Sequence, residues 1–241
     1  MTEAAEAASF SQVDAVRTAL LRAVSHDLRT PIATIKALVT GLLERDVEWT
    51  PDQLREALTS VNEETDRLNR LVGNLLDASR LQIGSLAVHP RPTAIADVVD
   101  AAVHSLGREA YDVRIDAHDN LPAAELDPDL MERSLANLVA NAIRYTRNAS
   151  GVSVAAETVD GSLHVRVVDR GPGIPPTDRV RVLAPFQRLG DTDTTDGVGL
   201  GLAITRGFVE AMHGEMLLDD TPGGGLTVTL ILPMSAADGA S

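Results

Sequence analysis

Apolar residues in the first third of the chain recur every three or four positions, which is the spacing of one face of an α-helix. A first stripe runs from Val13 to Leu42, and a second runs from Leu54 to Ser79 in alternating steps of four and three. The alternating steps are the repeat of a coiled coil. These patterns predict an antiparallel pair of long helices over residues 11–84, preceded by a disordered segment at residues 1–10.

Local signals place the ends of these helices. Thr50 and Gln53 have the spacing of a capping box around Pro51, so the second helix is predicted to begin there. Gly84 suits the position just after its last turn, where a left-handed residue stops a helix. Pro31 interrupts the first stripe and predicts a bend, because its ring removes one helical hydrogen bond.

A single helical hairpin would leave much apolar surface in water. Two copies that pair into a four-helix bundle would bury it, so we predict a homodimer. The alternative is that both helices pack on the remainder of the same chain.

The rest of the chain mixes short strand-like runs with amphipathic helices and lacks a regular βαβ rhythm. This mixture predicts an α+β sandwich with helices on one face over residues 93–234. The runs are SLAVHP, VRIDAH, VSVAAETV, SLHVRVVD, GEMLLDD and LTVTLILP, and the helices lie near 93–109, 127–147 and 199–213. The segment HPRP marks a linker at residues 85–92, which we expect to act as a hinge. Residues 235–241 are predicted to be disordered.

Composition narrows the classes of function. The 241 residues include 21 Lys and Arg against 35 Asp and Glu, a net charge of −14, which argues against nucleic acid or an anionic membrane as a partner. The chain has no cysteine, which excludes disulfides, thiol catalysis and cysteine-based zinc sites. Because it also lacks a membrane-length apolar run and a signal-peptide pattern, we expect a cytoplasmic chain without direct membrane contact.

One histidine lies on the polar side of the first predicted helix. On a helical wheel His26 points away from the apolar stripe, with Asp27 beside it and Thr30 one turn later. An exposed imidazole next to a carboxylate can act as a nucleophile. A solitary surface histidine is more often only a surface residue, so this interpretation depends on the other motifs.

The predicted helix after Asp127 and Pro128 carries a polar face. Its opposite side is predicted to be buried, namely Met131, Leu135, Leu138, Val139 and Ala142. The polar face aligns Arg133, Asn137, Asn141 and Arg144. Two amides and a guanidinium suit a hydrated Mg²⁺ and phosphate oxygens, since Mg²⁺ takes oxygen ligands and keeps waters. A plain solvated helix face is the alternative.

Two glycine-containing segments follow. Asp169 ends a predicted strand just before Gly171 and Gly173, where a carboxylate beside open backbone can accept a hydrogen bond from an exocyclic amine. The second segment leads into a helix, whose N-terminus favours phosphate. Its glycines are Gly197, Gly199 and Gly201. The spacing fits neither a Rossmann fingerprint nor a P-loop.

Taken in order, these segments resemble the boxes of sensor histidine kinases. SHDLRTP resembles the H box, NLVANAIRYT the N box, DRGPGIP and GVGLGLAI the two glycine boxes, and APFQRLG the F box. The resemblance covers residues 17–233. The sequence between the boxes is most similar to that of KdpD-type potassium-responsive sensor kinases of actinobacteria. It implies a dimeric four-helix bundle followed by an ATP-binding α+β sandwich of the gyrase, chaperone and histidine kinase type.

The resemblance also implies a role for each candidate residue. His26 would be the phosphoacceptor and Asp27 its general base, while Thr30 would serve a phosphatase reaction. Asn141 would ligate Mg²⁺, and Asn137 falls where ATPase relatives hold a water-activating glutamate. The remaining nucleotide contacts would come from Arg144, Tyr145, Asp169, Gly171, Gly173, Arg188, Gly197, Gly199 and Gly201.

The implied activity is ATP-dependent autophosphorylation of His26 with Mg²⁺, followed by transfer to the aspartate of a response regulator receiver domain. The resemblance also implies a potassium or osmotic stimulus and an inner-membrane anchor in the full-length protein. A stand-alone ATPase is a second possibility, disfavoured because an amide at Asn137 cannot take a proton from water. A dimeric scaffold that binds nucleotide without phosphotransfer is a third.

Overall fold

A computed structural model of the chain describes residues 28–44, 46–117, 121–146, 149–185, 187 and 199–234. The described residues fall into two compact units, which divide between Leu76 and Asp77. The first is wholly helical, and we call it the helical unit. The second combines helices and strands, and we call it the sandwich unit. No helix within the described ranges is both long and apolar enough to cross a membrane.

The helical unit contains α1, described over residues 28–43, and most of α2, Pro51–Gln82, whose residues from Asp77 onward belong to the sandwich unit. The predicted capping box is present at the start of α2. The Thr50 N–H donates to Gln53 Oε1 at 3.0 Å, and the Gln53 N–H donates to Thr50 Oγ1 at 3.3 Å. Helix α1 continues through Pro31, which is its fourth described residue, and the bend there stays a prediction.

Gly84 ends α2 as predicted. Its φ of +63° is left-handed, and its N–H donates to the Leu81 carbonyl at 3.2 Å. The Ser85 N–H donates to the Arg80 carbonyl at 3.0 Å. These two bonds form a Schellman motif, which satisfies the carbonyls at the end of the helix.

Several apolar side chains of α2 lie exposed in the single chain. They are Leu54, Leu58, Val72 and Leu76. Leu54, Leu58 and Val72 belong to the coiled-coil stripe of the sequence. The homodimer remains a prediction, and these residues define the surface that it would bury.

The sandwich unit is built on a five-stranded sheet of order β2-β4-β5-β7-β6. Only β2 and β4 are parallel, and the other neighbours are antiparallel. The strands are β2 Arg114–Ala117, β4 Ser153–Val159, β5 Ser162–Val168, β6 Glu215–Asp220 and β7 Leu226–Pro233. A separate antiparallel pair joins β1, Arg91–Thr93, to β3, Ala124–Leu126.

Helices α3, Ile95–His104, α4, Pro128–Thr146, and α6, Gly201–Ala211, pack on the sheet, and α5, Pro176–Val182, is a short surface helix. Burial alternates along β4 and β5, as expected when one face of a sheet meets a helical layer. The largest buried side chain is Phe208 of α6. The structure therefore confirms the predicted helical region followed by an α+β unit.

One predicted strand is wrong. The run SLAVHP at residues 85–90 has no regular structure, and pairing begins only at Arg91. The His89 N–H donates instead to Asp127 Oδ2 at 2.8 Å. Pro90, directly before β1, has no N–H to donate, which disfavours extension of the pairing toward residue 85. The three-residue strands β1 and β3 were missed because neither is long enough to show a period.

Candidate functional site

Asp169 follows the last residue of β5 and is fixed by the backbone around it. Its side chain is buried, and the residue is 7% exposed. Oδ1 accepts hydrogen bonds from the N–H groups of Gly171, at 2.8 Å, and Leu226, at 3.1 Å. The Asp169 N–H donates to the Leu226 carbonyl at 2.9 Å. The second carboxylate oxygen takes part in neither side-chain bond, so one oxygen orients the group and the other can face a ligand.

The loop after Asp169 runs too close to its neighbours for a side chain. A Cβ on Gly171 would lie 3.1 Å from the Tyr145 carbonyl oxygen. Gly173 has φ +72°, and its Cβ would lie 2.9 Å from the Gly225 carbonyl oxygen. Gly225 has φ +114°, and its Cβ would lie 2.0 Å from the Asp169 carbonyl oxygen. Glycine is therefore needed where this loop meets the β6–β7 turn.

The same loop borders a surface cleft of about 330 Å³. Its walls are residues 172–175 on one side and Asp220, Thr221, Gly224 and Gly225 on the other. This volume is at the lower end of ligand-binding pockets. Gly173 is the one predicted site residue in these walls.

Helix α4 begins as the sequence predicts. Asp127 Oδ1 accepts hydrogen bonds from the N–H groups of Asp129 and Leu130, at 3.0 and 3.1 Å, and so caps the helix. The apolar side predicted for this helix is buried, namely Met131, Leu135, Leu138, Val139 and Ala142. On the other side Asn137 and Asn141 are half-buried, and Arg144 and Tyr145 are exposed.

The last two turns of α4 contact both glycine segments. Asn141 Nδ2 lies 3.0 Å from the point that a Cβ on Gly201 would occupy, and the Asn137 Cβ lies 3.9 Å from it. One turn later the Tyr145 carbonyl borders Gly171. Asn141 therefore lies against the first residue of α6, where the backbone N–H groups of a helix are unpaired. Gly199, with φ +71°, precedes this helix.

Arg133 has a different environment from the asparagines that follow it. It forms an ion pair with Asp77 of α2 and lies over the Phe208 ring, 5.5 Å from the ring centroid. Burial lowers the pKa of the Arg133 guanidinium. The sequence pattern places Arg133 on the polar face of α4, but nothing in it singles out Asp77, which lies midway between Leu75 and Ser79 of the coiled-coil stripe.

Of the candidate residues of the H box, Thr30 is the one that the described part of the chain includes. Thr30 is exposed on α1, and its carbonyl accepts a hydrogen bond from Thr34 Oγ1 at 3.2 Å. Four predicted site residues are not among the described residues: His26, Asp27, Arg188 and Gly197. Their roles stay predictions.

Two protein-family models match the chain, in the order of the two units. Residues 16–84 match the His Kinase A (phospho-acceptor) domain. Residues 126–236 match the histidine kinase-, DNA gyrase B- and HSP90-like ATPase.

Individual relatives extend the match to nearly the whole chain. The sensor protein KdpD of Mycobacterium tuberculosis is 43% identical over 238 residues, which are 95% of this chain and 27% of the relative. KdpD of Rathayibacter rathayi is 41% identical over 236 residues, which are 98% and 27%. This chain thus spans about a quarter of the length of these relatives.

A solved structure of full-length ShkA in complex with AMPPNP shares the fold. The TM-score is 0.59 at 24% sequence identity, over 90% of this chain and 46% of that one. With a phospho-acceptor domain ahead of an ATPase domain, and with KdpD relatives aligned along both, the chain belongs to the sensor histidine kinases and is KdpD-like.

Proposed function

We propose that this chain phosphorylates its own His26 with ATP and then passes the phosphoryl group to an aspartate of a receiver domain. Members of this family dimerise and signal to response regulators. The observation that carries the proposal is the contact of one helix, α4, with both glycine segments. A nucleotide held along the end of α4 would meet Asp169 at one end and the start of α6 at the other.

The site suits an adenine nucleotide. Asp169 is oriented by two backbone N–H groups and offers its second oxygen to an exocyclic amine. The N-terminus of α6, at Gly201, favours the negative charge of phosphates. Gly171 and Gly173 let the loop approach the Tyr145 and Gly225 carbonyls closely, which holds the backbone around Asp169 in place.

The amides of Asn137 and Asn141 fit a hydrated Mg²⁺. Both are half-buried, and because Gly201 has no side chain, Asn141 Nδ2 can approach the start of α6 closely. Amide oxygens are ligands of the kind that Mg²⁺ accepts, and Asn141 is the residue we assign to it. When bound, the ion would neutralise charge on the triphosphate.

The residues of the chain favour transfer to histidine over transfer to water. An amide at Asn137 cannot act as a general base, so ATP should persist until His26 arrives. An imidazole nitrogen of His26 then attacks the γ-phosphorus, and the bond to the β,γ-bridging oxygen breaks to release ADP. Asp27 takes up the imidazole proton. The guanidinium groups of Arg144 and Arg188 neutralise negative charge on the phosphates.

Incubation with γ-³²P-ATP tests this chemistry. The wild-type chain should acquire an acid-labile, alkali-stable label, and His26→Gln should lose the label while its ATP affinity stays unchanged. Phosphate release without a labelled protein would favour a stand-alone ATPase. ATP binding with neither label nor phosphate release would favour the non-catalytic scaffold.

The metal assignment has its own test. Asn141→Ala should weaken Mg²⁺-ATP binding and His26 labelling together, because one ligand of the ion is lost. Asn62→Ala, which removes an exposed amide from α2, is the matched control and should change neither. Equal kinetics for Asn141→Ala and wild type would remove Asn141 from the site.

We also propose a phosphatase role for Thr30. Thr30 is exposed and comes four residues after His26 in the sequence, and its hydroxyl could orient a water toward a phosphorylated receiver. Thr30→Ala should slow dephosphorylation of the receiver and leave His26 labelling unchanged. Loss of both reactions would instead assign Thr30 to the fold of α1.

The KdpD relatives motivate a potassium or osmotic stimulus and an inner-membrane anchor for the full-length protein, with this catalytic part in the cytoplasm. Growth at low and high potassium should change the phosphorylated fraction of the cognate regulator. Membrane fractionation with an antibody against this segment tests the anchor, and recovery only in the soluble fraction would contradict it.

A further inference from the structure

Two arginines of the sandwich unit connect the glycine loop after Asp169 to the turn between β6 and β7. Arg179 of α5 donates from Nε to the Ile174 carbonyl at 3.2 Å and from Nη2 to Asp220 Oδ1 at 2.6 Å. Ile174 and Asp220 lie in opposite walls of the surface cleft described above. One guanidinium therefore bonds to both walls at once.

The second arginine makes a similar connection beside Asp169 itself. Arg170 is the next residue along the chain, and its Nη1 donates to the carbonyl of Pro222 within the β6–β7 turn. The loop is thus bonded to the turn near its beginning through Arg170 and near its end through Arg179. We call these two connections the arginine ties.

Where the loop and the turn meet, both present glycine backbone to each other. A Cβ on Gly173 would lie 2.9 Å from the Gly225 carbonyl oxygen, so this contact has no side chain on either side. Gly223, Gly224 and Gly225 all have positive φ, and a run of three glycines has high backbone freedom. The arginine ties supply the side-chain contacts that the glycines lack.

The position of the loop relative to the turn decides how Asp169 is held. Its Oδ1 accepts one hydrogen bond from the Gly171 N–H of the loop and one from the Leu226 N–H, which directly follows the turn. If the loop and the turn separated, the two donors could not both stay within hydrogen-bond distance of a single oxygen. The other oxygen of the carboxylate would then lose its fixed direction.

We propose that Arg179, supported by Arg170, is a positioning residue that sets the selectivity of Asp169 for the exocyclic amine of adenine. The inference rests on the function proposed above, in which Asp169 accepts a hydrogen bond from that amine. The same function places the phosphates at the start of α6. The arginine ties should therefore act on the binding of the base and leave the phosphoryl transfer step unchanged.

Arg179 should contribute more than Arg170. It bonds to a carboxylate as well as to a carbonyl, and its side chain is 21% exposed. Arg170 is exposed, so water competes more strongly for its guanidinium. The Asp220 side chain is 71% exposed, and solvent weakens an ion pair of this kind, so we expect a moderate effect even for Arg179.

Two nucleotides that differ at one position isolate the recognition of the base. Purine riboside triphosphate carries a hydrogen where ATP carries the exocyclic amine and is otherwise identical. The ratio of its dissociation constant to that of ATP reports the hydrogen bond to Asp169. Both constants are measured on the full chain by competition with a fluorescent ATP analogue. A partial loss of folded protein would not change this ratio.

Arg179→Met keeps an apolar stem and removes both bonds. It should lower the ratio at least about threefold, through weaker binding of ATP and little change for purine riboside triphosphate. Arg181→Met is the matched control on the same helix, because Arg181 pairs with Asp178 of α5, and it should leave the ratio unchanged. His26 labelling at saturating ATP should keep its rate in both variants.

Asp220→Asn tests the ion pair at an exposed position, where the fold tolerates the change. It should lower the ratio in the same direction, by about twofold, because the bond to Arg179 loses its charge. A wild-type ratio in both Arg179→Met and Asp220→Asn, or an equal fall in Arg181→Met, would overturn the proposal. Slower labelling of Arg179→Met at saturating ATP would assign Arg179 to the transfer step and would overturn it as well. Equal affinity of the wild type for the two nucleotides would instead contradict the adenine contact of Asp169 in the proposed function.

Discussion

At the scale of single residues, Asp169 illustrates how the backbone prepares a side chain for a ligand. Two N–H donors converge on one oxygen, and they come from opposite sides of the site, the glycine loop and the start of β7. The carboxylate is thereby oriented before any nucleotide arrives. Preorganisation of this kind reduces the ordering cost of binding.

Replacement of the carboxylate by an amide separates orientation from charge. Asn at residue 169 can still accept both backbone bonds through its amide oxygen, but its other end is a donor. A hydrogen bond to a charged group is worth about 1.5–3 kcal/mol, so Asp169→Asn should weaken ATP binding at least about tenfold. Titration with a fluorescent ATP analogue measures this, and the melting temperature reports whether the fold is kept. Unchanged affinity would exclude Asp169 from adenine recognition.

Two adjacent glycines provide a matched pair for the loop. Gly224 and Gly225 have φ of +108° and +114°, so alanine is strained at either position. At Gly224 a Cβ would meet nothing within 4 Å, whereas at Gly225 it would collide with the Asp169 carbonyl. Gly224→Ala should therefore lower only stability, and Gly225→Ala should lower stability further and also impair nucleotide binding. The same assay measures both, and equal effects on affinity would contradict the structural reason.

At the scale of elements, helix ends rather than helix interiors set the boundaries. Helix α2 starts at a reciprocal capping box and stops at a Schellman motif, and Asp127 caps α4. Each signal lies within five residues of the bond it forms. Such ends are readable from sequence because no distant part of the chain is required.

The capping box predicts different effects for alanine at two positions of α2. Thr50→Ala removes the cap and should cost about 1 kcal/mol of helix stability. Glu63→Ala, at an exposed position inside the helix and off the coiled-coil stripe, should be close to neutral, because alanine and glutamate both favour the helix. Urea unfolding followed by circular dichroism at 222 nm compares them. A larger loss for Glu63→Ala would contradict the cap.

At the scale of the whole molecule, the exposed apolar stripe of α2 is the feature that a single chain leaves unexplained. Leu58 is 54% exposed, and Leu54 and Val72 on the same stripe are exposed as well. A repeat of four and three favours burial against another helix. Pairing of two chains would cover this surface.

A charge placed on the stripe tests the homodimer. Wild type should sediment with twice the chain mass of 25.5 kDa, and Leu58→Lys should shift it toward the monomer. Val180→Lys is the control, because Val180 is 81% exposed but lies on α5 of the sandwich unit. A wild-type monomer at micromolar concentration would contradict the dimer.

Periodicity and capping residues sufficed to predict the helical region, the α+β unit and all but the shortest strands. The failures were SLAVHP, whose apolar pattern resembles a strand but which ends in a proline, the missed pair β1 and β3, and the missed short helix α5. The order of the boxes also identified the family. For the candidate site, the sequence placed Asn141 on a helix and Asp169 at the end of a strand. It could not show that the end of α4 contacts both the loop after Asp169 and the start of α6.

What the sequence by itself determined about this protein is therefore local: the helix stripes, the caps, and the glycines that a tight turn requires. Tertiary structure alone decided the bond between Leu226 and Asp169, 57 residues apart, and the ion pair between Arg133 and Asp77, 56 residues apart. Short-range signals are encoded in neighbouring side chains. Long-range pairs exist only after the sheet and helices have packed, because packing then fixes which distant groups share a dry environment.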